Sequence, residues 1–323
     1  MLTNKTLHAL QGQACGDAFG APFEYTKGDA ASFATLSLEE KRYLDSRDDC
    51  GGKATRRRLP GLYTDDTQQA LLLIYMRLRG IPPHAFTKEA RKMEHRGTGR
   101  NFRDAVTKLK PVDTAGLGAA MRVGPVATMF DDLHEMCEWV LEASRTTTTN
   151  PVALACTLRF AGIAWALSHQ GRTKDLSRWP APSDIPKDIW LLSSKALTKV
   201  KEGEEALVKW ASETGLSNKT LDVAANGFAL TGVAWAVHAA STSDSYTDAL
   251  QKACASGGDT DTVAAMAGCL SALLHGPDTI PSWMRHNLLG IEHIRYPDSW
   301  VPEAENPLTL TEREFLYAEE VIS

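Results

Sequence analysis

The chain has 323 residues, with 35 Lys and Arg against 40 Asp and Glu, a formal net charge of −5 and 43% hydrophobic residues. That apolar fraction is ordinary for a globular protein and excludes disorder over the bulk of the chain. The slight acidic surplus provides no overall positive field for a nucleic-acid backbone or an anionic membrane, and the basic run Arg56-Arg57-Arg58 is too short to reverse it. No apolar stretch reaches the roughly 20 residues that span a bilayer, and the start Met1-Leu2-Thr3-Asn4-Lys5 lacks the form of a signal peptide. The expectation is a cytoplasmic protein with neither nucleic-acid nor membrane partners. Six cysteines lie far apart without CxxC spacing, so they read as small reduced core residues rather than a disulfide framework or zinc site.

Helical periodicity dominates. After Thr67, Leu71, Ile74, Tyr75 and Leu78 recur at i, i+3, i+4 and i+7. From Ala153 to Leu167, Leu154, Leu158, Ala161 and Trp165 form one stripe, with Arg159 off it. Phe228 to Ala240 and Val263 to Leu274 are apolar nearly all round and rich in Ala and Gly, the pattern of central helices packed on every side. Strand-like alternation is nearly absent, so the fold class is all-α. The punctuated stretches Lys27 to Pro60, Gln170 to Asp188 and Arg295 to Pro307 carry Trp, Tyr and Pro rather than linker composition. They are expected to be long loops on a single domain over residues 1–323.

Two acidic clusters stand just before two of these helices. The first is Tyr63-Thr64-Asp65-Asp66-Thr67-Gln68 and the second is Gly257-Gly258-Asp259-Thr260-Asp261-Thr262. Asp and Thr are good N-caps, and first-turn acids complement the helix dipole. Capping, however, needs one side chain, whereas each cluster supplies two neighbouring carboxylates that repel unless a cation lies between them. The available ligands are all oxygens, which select Mg²⁺, Mn²⁺ or Ca²⁺ over Zn²⁺. Four carboxylates suffice for two ions roughly 3.5–4 Å apart.

These residues resemble the ADP-ribosylglycohydrolase family, which includes the bacterial dinitrogenase reductase-activating glycohydrolases. Four elements carry the resemblance in the family's order: Gly12-Gln13-Ala14-Cys15-Gly16-Asp17-Ala18-Phe19-Gly20-Ala21-Pro22-Phe23-Glu24, the Tyr63–Gln68 cluster, Gly116-Leu117-Gly118-Ala119-Ala120-Met121-Arg122-Val123, and Gly258–Thr262. The resemblance implies a compact helical domain with a binuclear Mg²⁺ site, Mn²⁺ being an alternative, in a central cleft. It implies metal ligation by Thr64, Asp65 and Asp66 from one side and by Asp259, Asp261 and Thr262 from the other. Glu24 matches the family's glutamate near the metals and is taken as catalytic together with Asp66 and Asp261. Gly116, Gly118, Arg122 and Thr148 are taken as substrate-binding, although buried pairing is the alternative for Arg122, and Asp17 is expected to cap or brace.

Two positions depart from the family pattern. Thr148 stands where a histidine is usual, and Leu117 replaces the asparagine of Gly-Asn-Gly. Thr148 keeps hydrogen bonding but not charge, and Leu117 is expected to remove an amide from the substrate side. The implied activity is Mg²⁺-dependent hydrolysis of a mono-ADP-ribosylated protein, with arginine as the modified residue. The alternative is an immunity-type protein that binds ADP-ribose or blocks an ADP-ribosyltransferase with little turnover. A hydrolase of another glycoside or phosphate fits the carboxylates but not the order of the four elements.

Overall fold

The computed structural model describes residues 3–26, 29–51, 59–93, 95–169, 185–217 and 226–288. Within them run fourteen helices: α1 (Asn4–Gly20), α2 (Ala30–Glu40), α3 (Asp65–Leu78), α4 (Phe86–Ala90), α5 (Arg100–Lys108), α6 (Gly124–Ala127), α7 (Leu133–Arg145), α8 (Pro151–His169), α9 (Lys187–Lys199), α10 (Glu204–Glu213), α11 (Ala229–Thr242), α12 (Tyr246–Cys254), α13 (Thr260–His275) and α14 (Ser282–His286). The described residues hold no sheet, only the isolated bridges Val112 to Thr148 and Gly116 to Phe228. The all-α class read from periodicity is thus the class of the fold.

The most extensive helix pairing among the described residues is α1 against α13. Its cause is visible in the sequence of both helices. Gly12, Gly16 and Gly20 repeat every four residues on α1 and so fall on one stripe. Opposite them run Ala272 and Gly268, then Ala264, then Thr260, so the two helices are antiparallel. A Cβ on Gly12 would meet Gly268 O at 2.5 Å, one on Gly16 would meet Ala264 O at 2.2 Å, and one on Gly20 would meet Thr260 O at 2.2 Å. Small residues therefore let the two backbones touch. Hydrogen bonds from Thr260 Oγ1 to Gly20 O (2.8 Å) and from Tyr246 OH to Gly12 O (2.7 Å) pin the pair. This contact sets the chain end of α1, with Glu24 just beyond it, against the N-terminus of α13.

Three readings change on the structure. The stretch from Lys27 to Pro60 is not wholly a loop, because Ala30–Glu40 forms α2, N-capped by Asp29, whose carboxylate accepts from Ala31 N at 3.1 Å. Ala30, Ala34 and Ser37 are its buried residues, and Phe33, Leu36 and Leu38 pack half-buried against the core beside them. Arg159, off the apolar stripe of α8, is nonetheless 1% exposed; its guanidinium lies 3.7 Å from the Trp190 ring centroid and donates to Ser194 Oγ at 2.5 Å. Helix α8 is long and apolar enough to cross a bilayer, yet 89% of its most apolar stretch is buried inside the protein. The Arg56–Arg58 run, most of Gln170 to Asp188 and all of Arg295 to Pro307 lie outside the described residues. All six cysteines are unpaired thiols, five of them buried.

Candidate metal centre and cleft

The two acidic clusters, almost two hundred residues apart in the chain, converge at the N-termini of α3 and α13. Gly257 and Gly258 reach α13 with φ of +68° and +72°, the left-handed region that glycine alone enters freely. Gly258 O then accepts from Tyr25 N at 2.9 Å, fastening the segment after α1 to this turn. As a result one carboxylate oxygen each of Glu24, Asp259 and Asp261 lies within 4.8 Å of the other two. Asp66 joins them from α3: its carboxyl is pushed well above its ordinary pKa by burial and then by the charges of Asp261, Asp17, Asp65 and Asp259. Asp259 is raised likewise, by burial and by Asp261 and Glu24.

Capping does not account for these carboxylates. At α3 the caps come from elsewhere. Thr64 Oγ1 accepts from Asp66 N, while Asp17 reaches across from α1 and accepts from Thr64 N (2.9 Å), Thr67 N (3.1 Å) and Thr67 Oγ1 (2.6 Å). Asp17 is therefore a brace, tying the first turn of α3 to α1. At α13 the Asp259 side chain makes no capping bond, although Asp259 occupies the N-cap position. Asp66 Oδ2 accepts from Thr64 Oγ1 at 3.0 Å, but Asp66 Oδ1 is buried with no hydrogen-bond partner. A buried carboxylate oxygen without a donor costs several kcal/mol unless a cation takes its lone pairs, on the order of the penalty for an unmet buried charge. Together with its all-oxygen surroundings, that orphaned atom fits a hard divalent cation.

The carboxylates line one end of a cleft of about 270 Å³. Its wall includes Glu24, Asp65, Asp66, Gly116, Gly118, Arg122, Thr148, Asp259, Asp261 and Thr262. Thr64 stands behind it, 1% exposed, with its hydroxyl engaged by Asp66. Thr148 lies on the wall, but its hydroxyl donates to Thr114 O (2.8 Å) and accepts from Asn150 N (3.1 Å), so it fixes the turn into α8. Arg122 is fully buried and donates to Gln69 and Thr147, the bracing geometry weighed as its alternative. Leu117 is 3% exposed and packs inward, so that a Cβ on Gly232 of α11 would meet Leu117 Cδ1 at 2.5 Å. The leucine thus serves the contact between this turn and α11.

Sequence reasoning missed the opposite rim, where Gly97, Gly99, Arg100, Asn101 and Phe102 enter α5. Arg96 O accepts from Asp65 N at 2.7 Å and Asn101 Nδ2 donates to Thr114 Oγ1 at 3.1 Å, so this rim is fixed to both the acidic end and the Thr148 wall. The Gly-Thr-Gly spacing before an amphipathic helix was its sequence signal. Tyr25, also missed, is 51% exposed on the cleft with φ of +49°, a conformation unusual for a bulky residue.

Gly118 offers a direct test of cleft occupancy. A Cβ there would meet no heavy atom within 4 Å, so Gly118→Val leaves the free protein's melting temperature within about 2 °C of its parent. If substrate occupies that space, KM rises about tenfold or more; an unchanged KM removes Gly118 from the substrate contacts.

Fold and cleft together define an all-α protein with a carboxylate-rich centre where helix termini meet. The chain matches the ADP-ribosylglycohydrolase family over residues 1–314 and belongs to that family. It is 27% identical over 329 aligned residues, 92% of this chain and 95% of the relative, to YegU, an uncharacterized protein of Escherichia coli (strain K12). It is 24% identical to the ADP-ribosyl-[dinitrogen reductase] glycohydrolase of Rhodospirillum rubrum, covering 87% of this chain and 89% of that protein. A solved ADP-ribosylglycohydrolase-related protein complex superposes with a TM-score of 0.61 at 25% identity, covering 88% of this chain and 92% of that one. Membership in a glycohydrolase family supports a hydrolase.

Proposed function

We propose that this protein is a metal-dependent hydrolase that removes mono-ADP-ribose from a modified protein side chain, with arginine as the modified residue and two Mg²⁺ as cofactors, replaceable by Mn²⁺. The observation that carries this reading is the convergence of Glu24, Asp259 and Asp261 on one point beside the unpartnered Asp66 Oδ1. The named activity of the Rhodospirillum rubrum relative, a glycohydrolase for an ADP-ribosylated protein, supports the substrate class. Asp65, Asp66, Asp259, Asp261 and Thr262 would hold the cations, with Thr64 behind them against Asp66. Bound there, the metals would supply charge for substrate oxygens and a more acidic water.

The rest of the chemistry falls to the chain. Cleaving the ribosyl bond requires a proton for the departing nitrogen and a water deprotonated for attack on the sugar. Glu24 is half-buried in the carboxylate group and on the cleft wall, so its carboxyl can take the proton from water and return one to the leaving group. Asp17 keeps the first turn of α3 still, and therefore Asp65 and Asp66. The exposed ring of Tyr25, next to Glu24, offers a face for a planar cationic side chain. Six unpaired thiols fit a reducing compartment, and we place the protein in the cytoplasm.

Proteins mono-ADP-ribosylated on arginine or on serine, incubated with catalytic amounts of enzyme, test the reading. Free ADP-ribose should appear from the arginine substrate with Mg²⁺, vanish in excess chelator and return on Mg²⁺ addition. Full activity in chelator, with metal loss verified by elemental analysis, defeats the metal role. Release from serine alone defeats the assignment to arginine. Stoichiometric block of an ADP-ribosyltransferase without release of ADP-ribose would establish the binding alternative.

A further inference from the structure

Asp65 and Asp66 are adjacent in sequence but are held differently. Asp66 leaves Oδ1 without a hydrogen bond, whereas Asp65 is gripped from within the protein. Gln69, one turn along α3, donates from Nε2 to Asp65 Oδ2 at 2.6 Å. The same amide accepts at Oε1 from Arg122 Nη1 at 2.8 Å. Arg122 is fixed in turn by donation from Nη2 to Thr147 Oγ1 at 2.7 Å and by stacking 4.2 Å from the centroid of the Phe86 ring. Gln69 and Arg122 are both 0% exposed.

Only one orientation of the Gln69 amide serves both neighbours. A guanidinium donates and a carboxylate accepts, so the amide oxygen faces Arg122 and the nitrogen faces Asp65. The amide therefore connects a buried cation to a carboxylate that the cation does not touch. Burial lowers the Arg122 pKa to about 9, with the Asp65 charge opposing the shift, so the guanidinium stays charged at neutral pH. The preceding glutamine faces elsewhere: Gln68 Oε1 accepts from Arg96 N at 2.8 Å and holds the opposite rim.

We propose that Gln69 and Arg122 are positioning residues for metal binding, the Arg122–Gln69–Asp65 relay holding Asp65 in one rotamer with Oδ2 engaged, so that a single ordered carboxylate meets the cation. This rests on the metal role proposed above for Asp65. Partners of this kind behind a ligand typically contribute about 10–100-fold to metal affinity. A residue that served packing alone would change the melting temperature and leave metal affinity untouched.

The test is Mn²⁺ binding to the metal-stripped, full-length protein by calorimetric titration, with thermal melts alongside. Gln69→Met, nearly isosteric and apolar, should weaken Mn²⁺ binding about 10–100-fold while remaining folded. Arg122→Lys should weaken it about tenfold, and the double variant should be no weaker than Gln69→Met, because a chain is broken only once. Folded Gln69→Met with parental affinity, or losses that multiply in the double variant, overturns the relay. Should Gln69→Met fail to fold, Arg122→Lys in an Asp65→Ala background reads the same coupling: no further loss supports the relay, and a further loss overturns it. Parental Mn²⁺ affinity in Asp65→Ala itself would instead overturn the metal role of Asp65. Lost affinity in Asp65→Ala beside parental affinity in Gln69→Met overturns the relay alone.

Discussion

Asp66→Asn abolishes hydrolysis while leaving the metal-free protein more stable than its parent. The two effects have one cause. Asp66 sits among Asp261, Asp17, Asp65 and Asp259 in a buried place, and both burial and those charges raise its pKa well above the ordinary 3.8. Its folded form therefore holds a proton that the unfolded chain has already released, so stability falls as pH rises from 3.8 toward the folded pKa. Asparagine removes that dependence and can still accept from Thr64 Oγ1 through its amide oxygen. Without metal, the parent should lose more melting temperature between pH 5 and 7.5 than Asp66→Asn does. With Mg²⁺ the order reverses, because binding stabilises only the parent by mass action.

The loss of activity should be large. A ligand that positions a metal contributes several kcal/mol to the transition state, on the order of 10³-fold in rate. Release of ADP-ribose at the parental rate by Asp66→Asn would remove this residue from the site. A metal-free melting curve lower than the parent's would show that the carboxylate stabilises the fold by itself.

Much of this arrangement is legible in the sequence because its causes are local. Thr64 and the i, i+3, i+4 spacing after it specify α3, and Gly257-Gly258 with the Ala-rich run after Thr262 specifies α13. Adjacent carboxylates exceed what capping needs, so the clusters declare a further role before any contact is known. What escapes is set by contacts between distant segments. Gln69 reads as an ordinary helix residue until Arg122 is found beside it. Leu117 reads as the loss of a cleft amide, and only the fold shows that it also packs on Gly232. Thr148 reads as a cleft residue, which it is, but that its hydroxyl also holds the Thr114 carbonyl is visible only in the fold. Side-chain direction depends on which neighbour arrives, and that is decided by tertiary packing. Helix α2 is a different case: Ala30, Phe33, Ala34 and Ser37 do carry the i, i+3, i+4, i+7 stripe, with Leu36 and Leu38 packed beside it, and the loop reading of Lys27 to Pro60 passes over it.

Gly16→Val should unfold the protein, although Gly16 is not part of the cleft wall. Its hypothetical Cβ falls 2.2 Å from Ala264 O and 2.9 Å from Ala264 C, distances no real Cβ adopts. The obstacle is backbone in the second turn of α13, so a rotamer change cannot relieve it. Overpacking of a core ordinarily costs about 1–3 kcal/mol through side-chain shifts; here two central helices must separate along the pairing that Gly12 and Gly20 also require. Separation would break the Thr260 Oγ1 to Gly20 O and Tyr246 OH to Gly12 O bonds and open the core around both helices. A loss above about 4 kcal/mol is expected, close to the whole stability of many domains. Gly16→Ala puts the same Cβ 2.2 Å from Ala264 O, so it too should be strongly destabilised, by about 3 kcal/mol or more, and Gly16→Val more so. A Gly16→Val protein that melts with its parent would mean that the α1–α13 contact is not the close backbone packing that assembles the site.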